Sequence, residues 1–121
     1  FHQHDPKVLD NGNILLFDNG KTSSRVIEFD PFTQDVVWKY PDRSGINEDF
    51  FTEMGGSNQR LPNGNTLINE TEDGRVLEVT PSGDIVWEFY NPHRAGEKNQ
   101  YIALIDLKRY DSEKVSSWLN R

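Results

Sequence analysis

Cysteine is absent from the 121 residues. That excludes disulfides and thiolate metal sites and leaves the redox compartment open. Positive charge is also scarce, 13 Lys and Arg against 20 Asp and Glu, for a formal net charge of -7. Phosphate binding needs clustered Lys and Arg to displace counterions, so nucleic acid is not an expected partner. The acidic residues are scattered rather than grouped in a tail, and such a surface mainly reports solubility. No apolar run approaches the roughly twenty residues of a membrane span. The opening Phe1-His2-Gln3-His4 has neither a charged n-region nor an apolar h-region, so no signal peptide is read in this segment. A processed or truncated precursor would look the same.

What the chain does have is a repeat. Val8-Leu-Asp-Asn-Gly-Asn-Ile-Leu-Leu-Phe17, Arg25-Val-Ile-Glu-Phe-Asp-Pro31 and Asp35-Val-Val-Trp-Lys-Tyr40 return as Arg60-Leu-Pro-Asn-Gly-Asn-Thr-Leu-Ile-Asn69, Arg75-Val-Leu-Glu-Val-Thr-Pro81 and Asp84-Ile-Val-Trp-Glu-Phe89. A period of about fifty residues made of strand-forming segments points to propeller blades. The expected fold is all-β: a β-propeller fragment of about two four-stranded blades, over residues 3–41 and 50–90, then a final strand and a short C-terminal helix within 99–121. Residues 1–121 thus read as one partial propeller domain. Two blades cannot close a ring of roughly four to eight. The missing blades are therefore expected from a longer chain, or from self-assembly, three such units completing a six-bladed ring.

Asn11-Gly12 and Asn63-Gly64 suit tight hairpins with two consecutive positive-φ positions. Pro31 and Pro81 end the Arg-led strands, since proline cannot donate to a ladder. Trp38 and Trp87 read as core residues packed between blades. Gly55-Gly56 permits close backbone approach or a bulge. His93 through Lys98 reads as a long loop, Tyr101-Ile-Ala-Leu-Ile105 as the final strand. Ser112 through Leu119 forms a helix capped by Asp111 or Ser112, its Val115, Trp118 and Leu119 face sealing an end of the sheets.

Histidine is rare, yet two of the three fall in His2-Gln3-His4. Alternate residues of a strand share a face, so His2 and His4 can converge on one ligand. A tetrahedral metal site needs three or four ligands, and this spacing does not supply them; no metal is expected. Imidazole is nucleophilic when neutral and can form a transient covalent bond, which makes His4 the candidate catalytic residue. The competing reading is a surface histidine at a frayed end. Asp18-Asn19-Gly20 is present only in the first repeat, where Glu70-Thr71-Glu72 replaces it in the second. Its Asp18 and Asn19 read either as a local turn or as groups beside His4. Arg25 and Arg75 occupy equivalent positions, which argues for a shared structural task, with substrate contact by Arg25 as the alternative.

The run Gln3-His4-Asp5, Leu9-Asp-Asn-Gly-Asn-Ile-Leu-Leu-Phe-Asp-Asn-Gly20, Ser24-Arg-Val-Ile-Glu-Phe29 and Val37-Trp38-Lys-Tyr40 resembles the bacterial arylsulfotransferase family. Gly55-Gly56-Ser57, Asn63-Gly64-Asn65 and Tyr101-Ile-Ala-Leu104 are similar to that family's C-terminal blades. The resemblance implies a six-bladed propeller that transfers a sulfuryl group between phenolic compounds through a sulfohistidine, without a cofactor. The family's nucleophile maps onto His4, with His2, Asp18, Asn19 and Arg25 as supporting or substrate-binding candidates. The implied partners are a phenolic sulfate and a phenol, and the implied compartment is periplasmic or extracellular. The family's further histidines and arginine come from earlier blades, outside this segment. The alternative function is a noncatalytic propeller used for binding or scaffolding.

Overall fold

The computed structural model describes residues 2–42, 50, 52, 55–96, 101–102 and 105–120. Two four-stranded antiparallel sheets dominate it, each running in chain order. The first comprises β1 (Gln3–Val8), β2 (Ile14–Asp18), β3 (Arg25–Phe29) and β4 (Val36–Tyr40). The second comprises β5 (Ser57–Arg60), β6 (Thr66–Glu70), β7 (Arg75–Val79) and β8 (Ile85–Tyr90). The fold is all-β, as the repeat implied. β2 and β6, inside their sheets, are buried almost throughout: Leu15, Phe17, Leu67 and Ile68 are fully buried. Alternation is clearer in β3, where Val26 and Glu28 turn inward between more exposed neighbours.

The glycine hairpins differ from the expected form. Only Gly12 (φ 88°) and Gly64 (φ 90°) take positive φ; Asn11 and Asn63 do not. Gly12 N–H donates to Leu9 O at 2.9 Å and Leu9 N–H to Asn13 O at 2.8 Å. The same two bonds recur at Leu61, Gly64 and Asn65. A three-residue loop built on a type I turn needs one left-handed residue at its end, which is where glycine stands. Asn11 and Asn63 instead accept from the backbone two residues on, at 3.0 Å each, the local bonding that asparagine favours in turns.

The sheets pack face against face. Leu15, Phe17, Val26 and Tyr40 of the first, with Phe50 from the connection, meet Ile68, Leu77 and Val79 of the second. Phe50 sits 5.8 Å from Phe17 and edge-on to Tyr40 at 5.5 Å, between ring centroids. The Gly-Gly pair serves this junction: a Cβ on Gly56 would fall 2.6 Å from the Phe17 ring. Trp38 packs against the same core and its Nε1 donates to Pro81 O at 2.9 Å across the sheets. Trp87, expected in the core, is instead 38% exposed and stacks on Phe89. The surface that covers Trp38 is the second sheet, and the described residues offer Trp87 no corresponding sheet.

Beyond β8, Arg94–Ala95 (β9), expected as loop, pairs with Tyr101–Ile102 (β10). Of the expected final strand, Tyr101 and Ile102 are in strand and Ile105 is not; Ala103 and Leu104 lie outside the described residues. Helix α1 (Ser112–Leu119) is capped by Asp111, whose carboxylate accepts from Glu113 N at 2.8 Å and Lys114 N at 3.3 Å. Among the described residues it seals no sheet: Trp118 and Leu119 are exposed, and Trp118 meets Tyr110 edge-on. No described helix is long and apolar enough to cross a membrane.

Arg25 and Arg75 do share a task. Each pairs with the acid at the end of the preceding strand, Arg25 with Asp18 at 2.9 Å and Arg75 with Glu70 at 3.2 Å. Glu70 is buried at the sheet junction, and its Oε1 has no partner among the described residues. Burial pushes its pKa up to about 7 despite the Arg75 charge. A raised carboxyl pKa stabilises the fold below the unfolded value and loses that contribution as pH rises through the folded one. The window runs from the ordinary 4.5 to about 7, and the loss is on the order of 3 kcal/mol. Urea unfolding across this window should show stability falling with pH in the native sequence and a flatter profile in Glu70→Gln. Identical profiles would refute this role for Glu70.

Candidate functional site

β1 begins regularly, with Gln3 opposite Asp18 and His4 opposite Phe17, then breaks register before Lys7 meets Leu15. The break has a sequence cause. Pro6 cannot donate to the ladder, and Asp5 takes a left-handed φ of 50°. The irregularity turns Asp5 toward the second sheet, where its carboxylate accepts from Asn58 N at 2.9 Å and its carbonyl from Asn58 Nδ2 at 3.3 Å. Lys7 Nζ bonds both Asp5 and the Asn58 carbonyl. The start of β1 is thereby clamped to β5.

His4 emerges just before this clamp, partly buried. Its Nδ1 lies 2.5 Å from Asn19 Oδ1. Asn19 is fully buried, and its Nδ2 donates to Thr52 O at 2.7 Å and Gly55 O at 2.8 Å. Two carbonyls consume both amide hydrogens, so the oxygen must be the atom facing His4. An amide oxygen only accepts, so the hydrogen of neutral His4 resides on Nδ1 and the lone pair on Nε2. The amide orientation and the tautomer follow from one network.

The support for Asn19 extends one layer further. Ser24 Oγ lies 3.2 Å from Asn19 O and 3.1 Å from Thr52 O, sharing its hydrogen between them, and accepts from Thr52 N at 2.9 Å. Ser24 N–H donates to Phe50 O at 3.0 Å, and Thr52 Oγ1 to Glu72 at 2.9 Å. Ser24 and Thr52 are both buried. Sequence reasoning did not single either out; the only sign of Ser24 was its place at the head of the Arg25 strand.

The structure thus joins His4 and Asn19 and separates the other candidates from them. Asp18 is bound to Arg25 and accepts from Gly20 N at 3.4 Å. Burial favours its protonated form, but the hydrogen bonds and positive charge around it, with Arg25 foremost, hold its carboxyl below the usual range. Gly20 alone supplies the positive φ of that turn. His2 precedes β1 with a left-handed φ of 55° and is exposed. Strand alternation begins only at Gln3, so the regular geometry that would align His2 with His4 is absent. Among the described residues no group of three or more His, Asp or Glu is placed to hold a metal ion. At the second sheet's corresponding place, Ser57 stands opposite Asn69 and accepts from its Nδ2 at 2.9 Å. The repeat keeps the frame there but has no imidazole.

No curated protein matches the chain. Among solved structures, a protein of unknown function from Bacteroides caccae, determined at 1.35 Å, matches with 16% identity and a TM-score of 0.33 over 78% of this chain. The match covers 48% of that structure, so the chain spans about half its length. The profile of the arylsulfotransferase (ASST) family matches residues 1–92, from before His4 through the whole second sheet. With three quarters of its length inside that match, the chain belongs to the arylsulfotransferase family.

Proposed function

We propose that this chain supplies the nucleophilic histidine of a sulfuryl-transferring propeller, acting between phenolic compounds in the periplasm or outside the cell. The observation that carries the reading is the Asn19 contact, which leaves the Nε2 lone pair of His4 available. Nε2 attacks the sulfur of an aryl sulfate, forming an N–S bond as the S–O(aryl) bond breaks and its electron pair leaves on the phenolate. An acceptor phenol oxygen then attacks the same sulfur. The N–S bond breaks, its electrons return to Nε2, and the acceptor's proton is taken up by solvent or the departed phenolate.

Asn19 contributes more than orientation. As Nε2 bonds to sulfur the ring becomes cationic, and the Nδ1–H···O contact strengthens with the developing charge. An interaction stronger in the transition state than in the ground state lowers the barrier. Negative charge on the sulfuryl oxygens needs donors as well, and in this reading they come from the earlier blades of a six-bladed ring. The imidazole itself carries the transferred group, so no cofactor takes part.

Initial rates of the full-length protein, with donor and acceptor both varied, test the scheme. A covalent intermediate requires ping-pong kinetics, seen as parallel double-reciprocal lines. Intersecting lines, with release of the first phenol dependent on acceptor, would overturn it.

A further inference from the structure

The two repeats differ in length at one telling place. Between the position of His4 and the hairpin leucine, the first sheet runs His4-Asp5-Pro6-Lys7-Val8-Leu9, and the second runs Ser57-Asn58-Gln59-Arg60-Leu61. His4 and Ser57 are equivalent, since they stand opposite Phe17 and Asn69 at matching places in β2 and β6. β5 pairs with β6 in unbroken register. In β1 the stretch from His4 to Lys7 faces the shorter stretch from Phe17 to Leu15, which is a β-bulge with one extra residue. A bulge of this kind usually places glycine at its left-handed position. Here Asp5 takes it, with φ at 50°.

The extra residue coincides with a change of aim. Ser57 Oγ bonds the residue directly opposite, accepting from Asn69 Nδ2 at 2.9 Å. His4 passes Phe17, the residue opposite, and reaches Asn19 two positions further along, with Nδ1 2.5 Å from Oδ1. Asp5 ties the bulge to the second sheet. Its carboxylate accepts from Asn58 N at 2.9 Å and Lys7 Nζ at 2.5 Å, and Lys7 also donates to Asn58 O. Asn58 is only 1% exposed, so the anchor lies in packed sheet. Asn19 in turn is held by the carbonyls of Thr52 and Gly55, on the approach to β5. The imidazole is thus fixed twice from one side of the molecule, through its hydrogen-bond partner and through the main chain that carries it.

We infer that the Asp5-Pro6 bulge aims the nucleophile, and that Asp5 is a positioning residue whose clamp on Asn58 holds His4 Nε2 in line for attack on sulfur. Bulges beside active sites re-aim a side chain, and a left-handed non-glycine residue persists only where its surroundings over-determine it. Glycine would suit the backbone here but would supply no carboxylate for Asn58 and Lys7. The inference deepens the sulfuryl-transfer reading and rests on it for the reaction.

Three variants of the full-length protein separate aim from fold. Deleting Pro6 gives β1 the spacing of β5. Asp5→Gly keeps the left-handed backbone and removes the clamp, whereas Asp5→Asn keeps an oxygen for Asn58 N. Stopped-flow release of phenol from an aryl sulfate without acceptor times formation of the N–S bond. Misplacement by about 1 Å can cost about a hundredfold, so deletion of Pro6 should slow release by about that factor and Asp5→Gly by about tenfold. The donor concentration giving half the maximal rate should stay within about twofold in both, and Asp5→Asn should keep a rate within about threefold of native. Nitrogen NMR reads the position without the chemistry: the Nδ1–H tautomer of His4 should persist in Asp5→Asn and be lost when Pro6 is deleted or Asp5 becomes glycine. If deletion of Pro6 unfolds the protein, Asp5→Gly carries the test, because glycine suits the bulge. A folded Pro6 deletion or Asp5→Gly that keeps the native rate or the native tautomer overturns the inference. So does Asp5→Asn as slow as Asp5→Gly, which would make charge rather than position the operative property. A native protein that releases no phenol defeats the sulfuryl-transfer reading instead, and the tautomer measurement then decides the positioning claim alone.

Discussion

Sulfuryl transfer by the full-length protein should fall by about a thousandfold or more in His4→Asn, the scale on which removing a covalent nucleophile acts. Asparagine retains a polar group at the start of β1 but offers no basic nitrogen, so the bond to sulfur cannot form. Asn19→Leu is the informative companion. Leucine nearly preserves the volume but removes the acceptor for Nδ1 and the amide donor to the Gly55 carbonyl, and it leaves Thr52 O to Ser24 Oγ. Loss of the favoured tautomer should lower kcat by about a hundredfold or more, with KM little changed because Asn19 is buried away from solvent. Nitrogen NMR of the imidazole separates this from simple unfolding. The native chain should carry its hydrogen on Nδ1 of neutral His4, and a folded Asn19→Leu should not hold that preference. Full activity in His4→Asn would remove the basis of the proposed mechanism.

The largest structural effect is expected at Gly56. A side chain there must adopt a φ of 138° and place its Cβ 2.6 Å from a Phe17 ring that is itself fully buried. Backbone strain and overpacking each cost about 1–3 kcal/mol. Gly56→Ala should therefore lose roughly 4 kcal/mol, a large share of the 5–15 kcal/mol typical of a domain. Gly12→Ala supplies the control, since φ is also positive but no atom lies within 4 Å of the added Cβ. It should cost only about 1–2 kcal/mol, the price of the left-handed backbone. Urea midpoints compare the two. Adding Phe17→Leu to Gly56→Ala should recover part of the loss, because the two changes share one contact. Equal costs at Gly12 and Gly56 would show that the sheets do not meet through Phe17.

Local pattern carried much of this architecture. The ranges of β3 and β7 follow from an arginine at the start and a proline two residues past the end, both local signals. The hairpin type was misread because Asn-Gly is compatible with more than one turn. The choice rests on the hydrogen bonds of Leu9 and Leu61, which a dipeptide does not encode. Trp87 was misread for the opposite reason: its sequence context matches Trp38, but burial depends on what lies across from it. Helix α1 has the expected stripe and cap, yet amphipathicity gives a face and not its partner.

The candidate site was legible in part. His4 stood out by rarity and by family resemblance, and Asn19 by its presence in one repeat only. Ser24 and Thr52 were invisible because they act through Asn19 from 28 positions apart, a separation no periodicity marks. Asp18 drew attention with Asn19 as part of a triplet found in the first repeat alone, and Arg25 through the family resemblance and its place in the repeat; in the structure these two bond to each other.

The most direct test of the central claim is to quench the full-length protein after reaction with an aryl sulfate in the absence of acceptor, then map the sulfuryl group by mass spectrometry. The account predicts one acid-labile sulfuryl group on the His4 peptide, absent from His4→Asn and discharged when a phenol is added before the quench. A sulfuryl group on another residue, or none despite release of the donor phenol, would contradict it.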